Sequence, residues 1–219
     1  AKENPFSRLR LKLNPPLILP RTIPLSVIEA VLTAAYQARE EARTSEQQKS
    51  VLRDIAVLEL LFATGVRVSE LCALQYGDVR LEEGKIKIYG KGAKERFVQI
   101  ANQDVLSALC HYRENYMDAI EQAGAFFVNR SRRPLSTQSV RGIVNKYCKL
   151  AGVESHITPH MFRHSFATLL LDEGVDIRYI QQLLGHSSIV TTQIYTHVTG
   201  KKQRDILSQK HPRNRIHSM

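Results

Sequence analysis

Four residues in the last third of the chain carry side chains suited to chemistry on a phosphate ester. His160 and Arg163 are three positions apart, and this spacing places both side chains on one face of a helix. His186 and Tyr195 follow downstream. A guanidinium binds phosphate oxygens through parallel N–H groups, an imidazole exchanges a proton near neutral pH, and a tyrosine hydroxyl forms covalent intermediates. This combination indicates DNA strand cleavage without a metal ion.

The composition is that of a globular protein with a large excess of positive charge. The 219 residues include 31 basic and 21 acidic side chains, which gives a net charge of +10. Such an excess favours a polyanionic partner, either nucleic acid or an anionic membrane surface. Three separate basic clusters favour nucleic acid. The clusters are Arg8, Arg10 and Lys12, then Arg130, Arg132 and Arg133, and finally Lys201, Lys202, Arg204, Lys210, Arg213 and Arg215.

The three cysteines predict neither a disulfide framework nor a metal site. Cys72, Cys110 and Cys148 are far apart, odd in number and set in apolar helical patterns. We expect them to be reduced thiols of a cytosolic protein. The sequence shows no signal peptide and no apolar run of about 18 residues, so we expect no membrane partner.

The distribution of prolines and apolar residues predicts one mainly helical domain with a small antiparallel sheet, an α+β fold. Residues 1–24 contain five of the eight prolines and are expected to form a basic linker from a missing N-terminal domain. Residues 25–198 are predicted to form the catalytic domain, and residues 199–219 a basic C-terminal tail.

Helix and turn signals divide the predicted domain into elements. Ser26 and Glu29 form a capping-box pattern at the start of a first helix, and residues 39–50 are expected to be a loop or a frayed helix end. A buried helix is predicted to end at Gly65. The glycine-flanked turn Gly90-Lys91-Gly92 predicts a hairpin between two β-favouring runs. The predicted helices lie over about 51–64, 103–122, 137–151, from Thr158-Pro159 onward, 176–184, 188–197 and 202–209.

Two further cations have both an ordinary and a functional interpretation. Arg67 is either exposed or, since its apolar neighbours predict inward packing, a guanidinium that needs an anionic partner such as Glu70. Lys91 is either a solvated turn lysine or a mobile cation that protonates a leaving 5′ oxygen.

The downstream residues are open to the same two interpretations. His186 fits a polar helix cap and Tyr195 fits a half-buried core tyrosine as well as each fits a catalytic site. His164 points about 100° away from Arg163 on their helix, and we predict a structural role for it.

Four segments together resemble the signature motifs of tyrosine site-specific recombinases, most closely the Xer recombinases and related integrases. The segments are Ala63–Leu71, Gly90–Arg96, Pro159–Thr168, and Leu184–Ser188 through to Tyr195–Val198. They follow the family's order and spacing over about residues 25–212. Phe162 and Leu169 stand where Xer proteins usually have leucine and histidine. This difference leaves open whether the protein resolves chromosomes or integrates a mobile element.

The resemblance implies a tyrosine recombinase catalytic-domain fold and a covalent 3′-phosphotyrosine at Tyr195. The other implied roles are phosphate binding by Arg67, Arg163 and His186, general acid/base catalysis by His160, protonation of the leaving hydroxyl by Lys91, and support of the site by Glu70. Because the phosphotyrosine conserves bond energy, no metal, ATP or other cofactor is expected.

The same resemblance implies double-stranded DNA recombination sites as substrate and a tetramer of identical subunits as the active assembly. DNA contacts are expected from Arg8, Arg10, Lys94, Arg96, Arg130, Arg132 and Arg133. The tail is expected to dock in trans onto a neighbouring protomer through Ile206 and Leu207. The expected location is the cytoplasm of a bacterium or archaeon, in association with the nucleoid.

Two other functions compete with recombination. A type IB topoisomerase-like enzyme would share the chemistry but relax DNA as a monomer, and the docking-type tail argues against it. A non-catalytic DNA-binding module would need only the basic surface, and the complete set of candidate catalytic residues argues against that alternative.

Overall fold

The computed structural model describes residues 22–90, 95–185 and 200–216, where it shows eight α-helices and one three-stranded antiparallel sheet. The helices are α1 (Leu25–Glu40), α2 (Ser45–Thr64), α3 (Val68–Cys72), α4 (Gln103–Ala123), α5 (Thr137–Leu150), α6 (Pro159–Asp172), α7 (Ile177–Leu184) and α8 (Gly200–Lys210). The strands are β1 (Val79–Arg80), β2 (Lys85–Tyr89) and β3 (Glu95–Gln99). The predicted α+β fold class is confirmed. None of the helices in these ranges has the length and apolar composition that crossing a bilayer requires.

Helix α2 is the central element of the domain. From residue 50 to its end every residue except Leu52 is buried, and the helix packs against α1, α4, α5 and α6. A helix that is apolar around most of its circumference belongs in an interior. It ends at Gly65 as predicted, but it begins at residue 45 rather than about 51, because Thr44 and Gln47 form a capping box there.

The predicted capping box at Ser26 is wrong. The N-cap of α1 is Pro24, and no side chain caps the helix. The Pro24 carbonyl accepts a hydrogen bond from the amide of Ile28 at 3.2 Å, so Ser26 lies inside the first turn. Helix α1 also extends further than predicted and leaves only residues 41–44 of the polar segment as a turn.

The predicted hairpin is confirmed as strands β2 and β3, which pair antiparallel along their full length. Ile86 and Ile88 on β2 are buried, and the residues that alternate with them face outward. The third strand, β1, pairs with β2 through Val79 and Arg80 and was not predicted, because two residues are too few to show an alternating pattern. The turn at residues 91–94 lies outside the described residues.

Two apolar clusters share helix α6. The larger cluster surrounds α2 and includes Phe162. The smaller cluster includes Phe166, Leu184 and Leu207 and joins α6, α7 and α8. The segment of α6 that carries Arg163 therefore has an apolar anchor in each cluster.

Residues 211–216, which we call the C-terminal anchor, fold back onto α2. Arg213 donates two hydrogen bonds of 2.8 Å to Glu59, and both side chains are buried. The Nδ1 atom of His211 accepts a hydrogen bond from the Arg213 amide at 2.9 Å, so its Nε2 donates to the Ala63 carbonyl at 2.9 Å. Arg213 was expected in a basic surface cluster, but its pairing with Glu59 removes it from the surface.

Candidate active site

The turn after α2 is shaped by Gly65. This residue has a φ of 58°, in the left-handed region that favours glycine. A Cβ atom there would lie 2.7 Å from Phe166 and 2.9 Å from Leu184, so α6 and α7 approach too closely for any larger residue. The turn leads directly to Arg67, which is the N-cap of α3. Gly65 thus brings three helices together beside this arginine.

Glu70 is in contact with Arg67, as the sequence spacing predicts. Its carboxylate accepts one hydrogen bond from the backbone N–H of Arg67 at 3.0 Å and one from Arg67 Nη1 at 2.8 Å. The Glu70 side chain is 6% exposed, whereas that of Arg67 is 40% exposed. The buried carboxylate therefore fixes one edge of a guanidinium that remains accessible to an anion.

Arg96 on β3 binds the same carboxylate. Its Nη1 and Nη2 atoms donate to the two oxygens of Glu70 at 3.0 and 2.7 Å, and its Nε donates to the Leu183 carbonyl at 3.2 Å. The side chain is only 13% exposed. The prediction that Arg96 contacts DNA does not fit this geometry, because every nitrogen of the guanidinium is already engaged inside the protein.

These contacts keep Glu70 ionised. Burial by itself raises the pKa of a carboxyl, but the hydrogen bonds and charges of Arg96 and Arg67 outweigh it and lower the pKa of Glu70 to about 2. The carboxylate is therefore negatively charged throughout the physiological pH range and orients both arginines.

Arg163 lies at the junction of two helix C-termini. Its Nη1 donates to the Gly65 carbonyl and its Nη2 to the Leu184 carbonyl, each at 2.7 Å. Helix C-termini carry partial negative charge, which favours a buried cation. Burial, followed by the nearby Arg67 charge, lowers the pKa of Arg163 to about 10, so the group stays protonated at neutral pH. Two of its five N–H groups are used in these contacts.

His160 lies in the first turn of α6 and is exposed. Its Nε2 is 3.0 Å from the Nε2 of His164, and the two rings are nearly perpendicular with centroids 4.5 Å apart. One ring must donate and the other accept. Burial, then the nearby charges of His160 and Arg163, lowers the pKa of His164. The role predicted for His164 was structural only, although its spacing of four from His160 places both side chains on one helix face.

The structure brings Arg67, Glu70, Arg96 and Arg163 together, and we call these four residues the arginine group. His160 is one turn before Arg163 on the same helix.

The remaining predicted catalytic residues Lys91, His186 and Tyr195 lie outside the described residues, as do Arg8, Arg10 and Lys94. Among the residues that the structure describes, no group of three or more His, Cys, Asp or Glu side chains is arranged to hold a metal ion.

Three predicted DNA contacts lie on an exposed loop. Arg130, Arg132 and Arg133 are all exposed between the bridged residues Val128 and Pro134. Arg130 forms a 3.5 Å ion pair with an exposed partner, Glu46, which contributes little to stability and can be exchanged for a phosphate. Their role as DNA contacts stays a prediction.

The two predicted docking residues pack within their own chain. Leu207 is 2% exposed in the smaller apolar cluster, and Ile206 is partly buried against the same cluster. Docking of this helix onto another protomer therefore stays a prediction, and it would require α8 to leave these contacts.

Comparisons with known proteins identify the family. The profile described as the phage integrase family matches residues 29–202. A tyrosine recombinase of Agathobacter rectalis is 53% identical over 98% of this chain and 70% of its own length. The crystal structure of XerA recombinase superimposes with a TM-score of 0.67 at 33% identity, covering 88% of this chain and 66% of that one. The pre-cleavage complex of XerH with its difH substrate gives 0.66 at 30% identity, covering 82% and 51%. The chain belongs to the phage integrase family and has the catalytic-domain fold of a tyrosine recombinase.

Proposed function

We propose that this chain cleaves and rejoins DNA at specific sites through a 3′-phosphotyrosine formed by Tyr195. The observation that carries the proposal is the arginine group. Arg67 and Arg163 lie close together at the Gly65 turn, and each is oriented by hydrogen bonds within the protein. Two positioned guanidinium groups are suited to the charge that grows on phosphate oxygens during transesterification.

The reaction balances without a cofactor. The Tyr195 oxygen attacks the phosphorus, the bond from phosphorus to the 5′ oxygen breaks, and the DNA strand is left with a free 5′ hydroxyl. His160 accepts the tyrosine proton, and Lys91 donates a proton to the leaving oxygen. Attack by a 5′ hydroxyl on the phosphotyrosine reverses these steps and reseals a strand. His186 donates a further hydrogen bond to the phosphate.

Positive charge near the site supports binding of duplex DNA. The arginine group contains three guanidinium groups and one carboxylate: Arg67 and Arg96 bind Glu70, and Arg163 lies close enough to interact with it through charge. The exposed loop adds a second basic surface, formed by Arg130, Arg132 and Arg133. Binding through phosphate contacts weakens steeply with salt.

The proposed assembly is a homotetramer on two recombination sites, in which α8 exchanges between protomers. The solved XerH structure is bound to its DNA substrate. Ile206 and Leu207 supply the apolar surface for exchange, and Leu207 is the buried member of the pair. Release of α8 would expose this surface to a neighbour.

A covalent trap tests the proposed reaction. The recombination site is first selected by this chain from random-sequence duplex DNA, and a nicked version of that site then serves as a suicide substrate. We expect a DNA–protein species that survives denaturation, and we expect none with Tyr195→Phe. Tyr116→Phe on α4 is the matched control and should react like the unmodified chain. An adduct with Tyr195→Phe would show that another residue is the nucleophile.

The same substrate separates recombination from its rivals. Exchange of strands between two labelled sites supports a recombinase, whereas relaxation of a supercoiled plasmid without exchange supports a topoisomerase-like enzyme. Sequence-specific binding with no adduct would instead support a non-catalytic DNA-binding module.

A further inference from the structure

Arg96 lies where three segments of the site meet. It is on β3, where it pairs with Ile88 of β2. Its guanidinium reaches across to Glu70 on α3 and to the Leu183 carbonyl near the end of α7. These partners are 26 and 87 positions away in the sequence, so the contacts connect segments that local sequence patterns do not bring together.

Each of these segments leads to a residue of the proposed mechanism. The β2–β3 turn contains Lys91, α3 is capped by Arg67, and His186 comes two residues after α7 ends at Leu184. We infer that Arg96 is a positioning residue for DNA cleavage, which holds these three segments around the phosphate and makes no contact with DNA itself. The inference rests on the proposed function.

The contact with Glu70 determines how Arg67 is presented. Arg96 binds both carboxylate oxygens in one plane, and Arg67 binds the same two oxygens through its backbone N–H and its Nη1 atom. Without Arg96 only the contacts with Arg67 orient the carboxylate. A lysine at position 96 would keep the charge but could not bind both oxygens in one plane.

The end of α7 is held by a second, independent contact. Gly185 has a φ of 65°, and a Cβ atom there would lie 3.0 Å from Cδ and 3.0 Å from Nη1 of Arg96. Helix α7 therefore ends directly against the side chain of Arg96. His186 is the next residue in the sequence.

The engagement of Arg96 argues against a direct DNA contact. Its Nε, Nη1 and Nη2 atoms all donate to partners inside the protein, and its side chain is 13% exposed. Arg133, by contrast, is exposed on its loop. The two arginines should therefore behave differently when DNA binding and cleavage are measured separately.

The test compares Arg96→Ala with Arg133→Ala on the suicide substrate, using the whole chain. We expect Arg96→Ala to lower the rate of adduct formation at saturating DNA by about 10- to 100-fold, as loss of a supporting residue typically does. Its DNA affinity and the salt dependence of that affinity should stay unchanged. Arg133→Ala should instead lower affinity and reduce the salt slope by about 0.9, the loss of one phosphate contact. Arg80→Ala, in an exposed pair, is the unaffected control.

A double-mutant cycle distinguishes positioning through Glu70 from general destabilisation. If Arg96 acts through Glu70, adding Arg96→Ala to Glu70→Ala should lower the rate by less than Arg96→Ala does alone. Arg96→Lys should be folded and should show an intermediate rate, so it replaces Arg96→Ala if that variant is unfolded at the assay temperature.

Three outcomes would overturn the inference. The first is an unchanged rate of adduct formation in the Arg96 variants, and the second is a loss of rate that weaker DNA binding explains fully. The third is a double variant whose loss of rate equals the product of the losses from Arg96→Ala and Glu70→Ala. Failure of the unmodified chain to form an adduct would instead refute the proposed function, so the two failures are distinguishable.

Discussion

The arginine group and the C-terminal anchor both contain buried arginine–glutamate pairs, but their charge balance differs. In the anchor, the guanidinium of Arg213 binds both oxygens of Glu59 and lies 3.5 Å from the carboxylate of Asp104, and Glu59 also accepts a hydrogen bond from the Tyr36 hydroxyl at 2.8 Å. In the arginine group, Arg67 and Arg96 both bind the one carboxylate of Glu70, and Arg163 adds a third positive charge nearby. The anchor therefore has no unmatched positive charge, whereas the arginine group has an excess of positive charge that can attract an anion.

The comparison also separates stability from activity. Both residues of the anchor pair are at most 1% exposed, so neither can reach DNA and both must satisfy each other. Arg67 is 40% exposed and reaches outward from a buried carboxylate. The anchor should therefore matter for folding and the arginine group for cleavage, and three measurements test that division.

The largest effect is expected from breaking the anchor pair. Arg213→Ala leaves the Glu59 carboxylate buried without its partner, which should lower the free energy of unfolding by about 3–5 kcal/mol. Urea unfolding followed by circular dichroism measures this. The matched control is Arg113→Ala, whose partner Glu82 is 70% exposed, and its cost should be below about 1 kcal/mol. Equal losses of unfolding free energy in the two variants would mean that the buried pair of the anchor stabilises the fold no more than an exposed pair does.

Arg67→Ala should slow cleavage strongly and change the stability of the fold little. Loss of one positioned donor should lower the rate of adduct formation by about 10²- to 10³-fold. Because Glu70 keeps Arg96 as a partner, the free energy of unfolding should change by less than about 1 kcal/mol. Urea unfolding measures this change. Arg80→Ala, whose side chain is 63% exposed, should change neither quantity. A stability loss as large as that of Arg213→Ala would remove the distinction between the two regions.

The effect expected from acid is confined to a narrow pH range and should act on the anchor. Burial lowers the pKa of His211 from 6.5 to about 4, so folding favours the neutral ring. The stability from this shift is complete above pH 6.5 and is lost as the pH falls toward 4. The total is about 3 kcal/mol, from 1.36 kcal/mol for each pKa unit. Urea unfolding at several pH values measures it, and His211→Gln should show a smaller decline over the same range. An equal decline would mean that other groups titrate in this window.

Local patterns were sufficient to predict part of the site. The end of α2 at Gly65 and the contact between Arg67 and Glu70 depend on residues within five positions of each other. The placement of His160 and Arg163 on one helix has the same local origin. The spacing of His164 from His160 is equally local, so their contact was predictable from the sequence.

Local patterns could not predict contacts between residues that are distant in the sequence. Arg96 follows Lys94 and Glu95 in a charged stretch that is typical of a surface, and its partner Glu70 is 26 positions away. Arg213 lies in a basic tail, 154 positions from Glu59. A count of charges cannot show which cations are neutralised by remote carboxylates, and both arginines were therefore placed on the surface. The start of α1 was predicted wrongly for another reason. Pro24 is the N-cap, and its backbone carbonyl accepts the first hydrogen bonds of the helix, where the prediction had the hydroxyl of Ser26 as the cap.

The hydrogen bond from His211 to the Ala63 carbonyl has a consequence for the nascent chain. The two residues are 148 positions apart, and the histidine braces the helix end that leads to Arg67. At a translation rate of about 5–20 residues per second, His211 is synthesised roughly 7 to 30 s after Ala63. During that interval the Arg67 turn lacks its support from the anchor. Support of the Arg67 turn is thus linked to the synthesis of residue 211, and a ribosome-bound intermediate without this residue lacks the hydrogen bond from His211.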